Sequence, residues 1–178
     1  GIVIAGLSAG STTETADRLR TALDGACDKM GFPRIEGRIV IDVKREDEQP
    51  PSTVAMRYSA VLDFAMAVGT MIQAGHLPDT LVDACFLGAF HRRDDLRSVN
   101  SGWISLVQSA QGRPVYIPAA VENTALAQTC SAGNVHMVAS LTALLTDNTE
   151  RLTAKATRLP PSSAFSLTYD LADNSQGH

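Results

Sequence analysis

The chain has 178 residues, 44% of them hydrophobic and 19% charged, enough to bury a substantial core as one domain folding in water. A net charge of −4 excludes a surface given over wholly to phosphate backbone but leaves room for a local basic patch. No stretch of about 18 apolar residues reads as a membrane span, and no basic, apolar and small-residue succession reads as a secretory signal, so a cytoplasmic location is expected; the start at Gly1 leaves a processed N-terminus open.

In chain order, 2–7 is a short apolar run that predicts a buried strand entering a Gly-containing turn. Ser11 with Glu14 forms a capping box, and Ala16, Leu19, Leu23, Ala26 or Cys27, and Met30 recur at helical spacing up to Gly31, a C′ glycine. Residues 38–44 alternate, with Ile39, Ile41 and Val43 on the better-buried face. Residues 45–52 form a charged, Pro-containing loop. A second helix is expected over 53–74 with Val54, Val61, Ala65, Val68 and Ile72 as its stripe and Gly75 as its stop. A strand over 85–90, a solvated turn at Arg92-Arg93-Asp94-Asp95 and a returning strand over 96–99 make a hairpin. Helices over 102–110 and 119–128 alternate with strands over 115–117 and 135–138, and a last helix starts at Ser140. Helices and strands alternate, but the hairpin interrupts them, so an α+β domain with a mixed sheet is expected over 1–147. Periodicity fades from 148 and Pro160-Pro161 follows, which reads as a connector over 148–178.

Cys27, Cys85 and Cys130 are widely spaced and lie among apolar neighbours, the pattern of buried free thiols rather than a disulfide or zinc set. His76, His91, His136 and His178 have no paired Cys or carboxylate at ligand spacing, and no metal site is expected. Gly6-Leu7-Ser8-Ala9-Gly10-Ser11-Thr12 has the outline of a phosphate loop but only three residues between the glycines and no lysine.

Several blocks run in one order along nearly the whole chain. They are Ile2-Val3-Ile4-Ala5-Gly6-Leu7, the acid- and Arg-bearing helix 14–23, Gly31-Phe32-Pro33-Arg34, the strand 38–43, Phe86-Leu87-Gly88, Leu96-Arg97-Ser98-Val99, Ile117-Pro118-Ala119-Ala120 and the tail 169–177. Together they resemble the N-terminal domain of magnesium-chelatase-like AAA+ proteins of the ComM/YifB type. The resemblance implies a fold like the second domain of ribosomal protein S5 and the peptidase domain of Lon, a mixed sheet packed against helices. It also implies an ATPase module after the tail, with ATP and Mg²⁺ bound there rather than in this chain, a hexameric ring, and work on branched or single-stranded DNA during recombination.

Lon-type domains use a Ser–Lys dyad, in which a desolvated amine serves as base for the serine. The position of the family's Gly-Ser-Gly-aromatic-Asp motif is filled by Tyr58-Ser59-Ala60-Val61-Leu62-Asp63, so Asp63 keeps its place, Ser59 is one residue off and the glycines are gone. The stretch 102–110, where the lysine belongs, has none. Ser59 and Asp63 are therefore degenerate motif positions. Asp63 reads as a buried or half-buried carboxylate that caps a backbone group or pairs with an arginine. Trp103, Phe90 and Tyr116 read as core. Arg92, Arg93 and Arg97 are the candidates for contact with a phosphate backbone or an acidic subunit surface, although Asp94 and Asp95 would balance them in a salt-bridged, solvated tip. The expected role is a non-catalytic accessory domain; the alternatives are a degenerate Lon-like peptidase domain and a polypeptide-binding domain of an AAA+ chaperone.

Overall fold

A computed structural model describes residues 1–7, 12–44, 60–97, 110, 112–120 and 134–156, with backbone alone at 60 and 150–156. These residues form a mixed α+β arrangement of three α-helices and three small sheets. None of the helices is long and apolar enough to cross a membrane.

Strands β1 (Ile2–Ala5) and β2 (Ile39–Asp42) pair in parallel, Ile2 beside Ile39 and Ala5 beside Asp42. The strand expected over 2–7 stops at Ala5 because Gly6 turns away at φ 90°, where any Cβ would collide with the Val43 carbonyl. Helix α1 (Thr12–Met30) connects the two strands and buries Thr15, Leu19, Ala22, Leu23, Ala26 and Cys27; of the stripe its spacing predicts, Leu19, Leu23, Ala26 and Cys27 are buried and Ala16 and Met30 half-buried. Gly31 ends it at φ 70°, and the Phe32 N–H returns 2.9 Å to the Cys27 carbonyl, a Schellman closure.

A 3₁₀ turn (Ala60–Leu62) leads into α2 (Asp63–Gln73), buried continuously from Asp63 to Ile72. A helix apolar all round belongs at the centre of a fold. Gly75 at φ 83° stops α2, with the His76 N–H bonded back to the Met71 carbonyl at 2.9 Å. The first part of the helix expected over 53–74, and with it Val54, lies outside the described residues.

The strand expected over 85–90 is two strands in two sheets. β3 (Cys85–Phe86) lies in a parallel sheet with β6 (Val115–Pro118) and β7 (Val135–Val138), in the order β3-β6-β7. At Gly88 the chain leaves this sheet, since its N–H donates to Val61 and its carbonyl accepts from Phe64, both at 3.0 Å at the start of α2. A Cβ at Gly88 would press on Pro118 Cγ at 3.1 Å. The chain then forms an antiparallel hairpin, β4 (Ala89–Arg92) and β5 (Asp95–Arg97). Phe86, Tyr116 and His136, in register across the parallel sheet, stack with centroids 4.9 and 4.8 Å apart, and Phe64 of α2 meets Phe86 edge-on at 5.4 Å.

Ser140 caps α3 (Leu141–Ala156), its Oγ accepting the Ala143 N–H at 3.0 Å. The connector expected from 148 begins inside this helix. Asn148 is buried and donates 2.8 Å to the Leu144 carbonyl, so helical bonding outlasts the apolar period that marked the boundary. Ala119 and Ala120 are not helical; the remainder of the helix expected over 119–128, and all but Ala110 of the one over 102–110, lie outside the described residues.

Candidate functional site

The hairpin that carries Arg92, Arg93 and Arg97 is anchored by Phe90 and Leu96, cross-strand neighbours buried in the core. His91, Arg92, Arg93 and Arg97 are exposed. Arg93 adopts φ 51°, a left-handed conformation that side chains ordinarily avoid. Its Cβ lies 3.4 Å from where a Cβ would stand on Gly25, so the hairpin rests on α1 at Gly25, within van der Waals reach of any side chain placed there.

The solvated, salt-bridged tip expected at residues 92–95 is corrected in one respect. Asp94 is fully buried. Its Oδ1 accepts Lys29 Nζ at 2.8 Å, and its Oδ2 accepts the Thr142 N–H at 2.9 Å together with the Thr142 hydroxyl. Thr142 is the second residue of α3, so the carboxylate sits where unpaired N–H groups and the helix dipole favour an anion. The Leu141 N–H donates to the Asp94 carbonyl and the Leu96 N–H to the Ala139 carbonyl, both at 3.0 Å, which clamps the turn to the helix start. Burial pushes the Asp94 carboxyl up, but hydrogen bonds from Lys29 and Thr142 outweigh it and hold it below the usual carboxylate range.

With Asp94 turned inward, the exposed cations keep only the half-buried Asp95, opposite Arg92 in register, as a hairpin acid. Among the described residues, Arg92, Arg93 and Arg97 take part in no ion pair. The acids on the adjoining face of α1 are paired with Arg34, which holds Asp28 at 2.7 Å and lies 3.7 Å from Asp24, although Arg93 also acts on Asp28 through space. The hairpin tip is thus cationic on a chain of net charge −4.

Asp63 heads α2 and is also fully buried, as a carboxylate paired with an arginine was expected to be. Arg18 of α1 donates to it through Nε at 3.0 Å and Nη2 at 3.4 Å. Held by a guanidinium, this carboxylate is a structural tie between α1 and α2. Ser59 lies outside the described residues, as does all but Ala110 of the stretch 102–110 in which a dyad lysine was sought. Lys29 and Lys44 are engaged by Asp94 and by Asp42 at 3.0 Å.

His76 is half-buried and stacks on Phe32 at 4.6 Å, and burial pushes its pKa down. Phe90 is core, Tyr116 is half-buried in the aromatic ladder, and Trp103 falls outside the described residues. Cys27 is buried and its thiol pKa is raised, chiefly by desolvation; Cys85 is half-buried and Cys130 is outside the described residues. No cluster of metal-ligating side chains occurs among the described residues. The sequence offered a signal for one of the two buried ties: Asp63 stands between Leu62 and Phe64, which must go inside, whereas Asp94 stands between Arg93 and Asp95.

A scan of the chain against protein-family models finds no match, and a search among curated proteins likewise finds none.

Proposed function

We propose that this chain is the N-terminal accessory domain of a magnesium-chelatase-like AAA+ ATPase of the ComM/YifB type, with a fold like the second domain of ribosomal protein S5, and that its β4–β5 hairpin contacts DNA phosphates. The observation that carries the contact is the inward turn of Asp94, which leaves Arg92, Arg93 and Arg97 exposed and without ion pairs among the described residues. Arginines outside ion pairs suit phosphate oxygens, which they meet with a planar fork of donors. The family assignment rests on the order of the sequence blocks, and the mixed α+β arrangement is compatible with it. On this reading ATP and Mg²⁺ serve the AAA+ module beyond residue 178, the ring is built by the full protein in the cytoplasm, and branched or single-stranded DNA is the client. The chain itself is non-catalytic, with Asp63 retained as a tie to Arg18.

The test is fluorescence anisotropy on forked DNA at several salt concentrations, with the chain unaltered and with Arg92, Arg93 and Arg97 all replaced by Ala. The log–log salt slope should flatten by about 0.9 for each phosphate that the protein no longer neutralises, with affinity falling alike on all sequences. An unchanged slope removes DNA from the hairpin. Intact DNA binding combined with loss of ring assembly in the full protein would make the hairpin a subunit contact instead.

A further inference from the structure

A groove of about 520 Å³ lies between β2 and α2. Its strand wall is made by Ile39, Val40, Ile41 and Asp42, four residues in succession. Successive residues of a strand point to opposite faces, so only a strand edge presents all four to one groove. The hydrogen bonds agree. The Ile39 and Val43 N–H groups donate to the Gly1 and Ala5 carbonyls at 2.9 Å, which turns alternate residues of this strand toward β1 and aims the peptide groups of Val40 and Asp42 the other way. Among the described residues β2 pairs with β1 alone. The opposite wall is Met66, Gly69, Thr70 and Gln73, a stripe at spacings of three and four along one face of α2. Met66, Gly69 and Thr70 are buried and the Thr70 hydroxyl is already bonded to the Met66 carbonyl at 2.8 Å, so this wall supplies shape, and its exposed part is Gln73 and the following Ala74.

We infer that this groove takes an extended, uncharged peptide segment of a partner protein, which adds as a strand to the edge of β2 that is unpaired among the described residues and lays alternate apolar side chains against Ile39 and Ile41, both half-buried. A row of unpaired peptide groups recognises another extended backbone, and a pocket beside it selects every second side chain. The charges decide between partner classes. Arg38 and Lys44 on the rim are balanced by Glu36 and Asp42, with Lys44 and Asp42 joined at 3.0 Å, so a polyanion gains nothing here. The site is independent of the arginine hairpin and of its client.

The experiment uses the full 178-residue chain and a fluorescein-labelled, end-blocked octapeptide of alternating valine and threonine, titrated by anisotropy. Saturable binding is expected, and methylation of the peptide's alternate backbone nitrogens should weaken it roughly five- to thirtyfold, the loss of one or two hydrogen bonds at ~1 kcal/mol each. Val40→Pro removes an outward N–H, a substitution that edge strands tolerate, and should abolish binding with the melting temperature kept within a few degrees. Because the methylated peptide leaves the protein unaltered, the outcome does not depend on that variant folding. Absence of saturable binding, or binding indifferent to methylation, overturns the inference. So does displacement by oligothymidylate, which would make the groove a nucleic-acid site. A dimer of the unliganded chain that Val40→Pro dissolves would overturn it in favour of a second copy.

Discussion

Asp63 and Asp94 are both fully buried carboxylates tied to cations of α1, yet they are held in different ways. Asp63 starts the most enclosed helix among the described residues and receives the fork of Arg18, whose side chain is 28% exposed. Asp94 sits at a hairpin tip, shared between the 42% exposed Lys29 and the start of α3. The first pair locks two core helices together. The second fixes the position of a surface element and strips an acid from that surface. Burying a charge thus serves cohesion in one place and presentation of neighbouring charges in the other.

The largest effect should come from separating the partners of the first pair. Arg18→Ala leaves the Asp63 carboxylate in the core without its guanidinium and should cost about 3 kcal/mol by urea unfolding, since breaking a buried pair from one side is more damaging than the pair is stabilising. Asp63→Ala should cost less, because the guanidinium left behind can turn to water. Equal costs, or the reverse order, would show that Arg18 is more enclosed than its exposure implies. For the second pair, Asp94→Ala should cost about 2 kcal/mol, a lost helix cap plus a charge-assisted bond, and Asp94→Asn roughly half of that because its carbonyl can still accept the Thr142 N–H. Asparagine no better than alanine would assign the stabilisation to Lys29 rather than to the helix start.

Local structure was legible where one segment carries its own signal. The alternation of β2, the glycine stop of α1, the Gly75 stop of α2 and the Ser140 cap of α3 are properties of neighbouring residues; the cap expected at Ser11 lies outside the described residues. What escaped depends on distant ones. Asp94 lies 65 positions from Lys29 and 48 from Thr142, so within its own turn it reads as one more solvated acid. Asp63 was legible as an acid in search of an arginine; that Arg18, 45 positions earlier, supplies it was not. The split of the strand at Gly88 follows from its bonds to Val61 and Phe64, and the hydrophobic run of 85–90 conceals it. The helix continued past 148 without an apolar period, because helical hydrogen bonds need none.

Acid should distinguish the regions further. Burial lowers the pKa of His76, so the unfolded chain binds its proton first; the associated stability is complete above about pH 6.5 and is lost as pH falls through the lower folded value. For Asp94, whose folded pKa is also depressed, the contribution is complete above about pH 3.9 and is lost as pH falls through its folded value. Unfolding free energy measured against pH should therefore decline in two steps. His76→Phe, which preserves the stack on Phe32, should remove the upper step, and Asp94→Asn should reduce the lower one. If His76→Phe leaves the decline below about pH 6.5 unchanged, titration of this histidine is not the source of the upper step.

The smallest effect concerns the backbone that Asp94 holds in place. Arg93 keeps a φ of 51° next to a carboxylate pinned by Lys29 and Thr142, and a left-handed non-glycine residue costs roughly 1 kcal/mol. Arg93→Gly removes that strain but loosens the unfolded chain, so the net gain should be only a few tenths of a kcal/mol, read as a small rise in the denaturation midpoint at unchanged m-value. The same substitution deletes one cation of the tip and should flatten the salt slope of forked-DNA binding by up to about 0.9. Stability and binding then move in opposite directions, as they would if this turn tolerates strain in order to present an arginine. A variant that loses stability would mean instead that the aliphatic part of Arg93, packed beside Gly25, contributes more than its backbone costs.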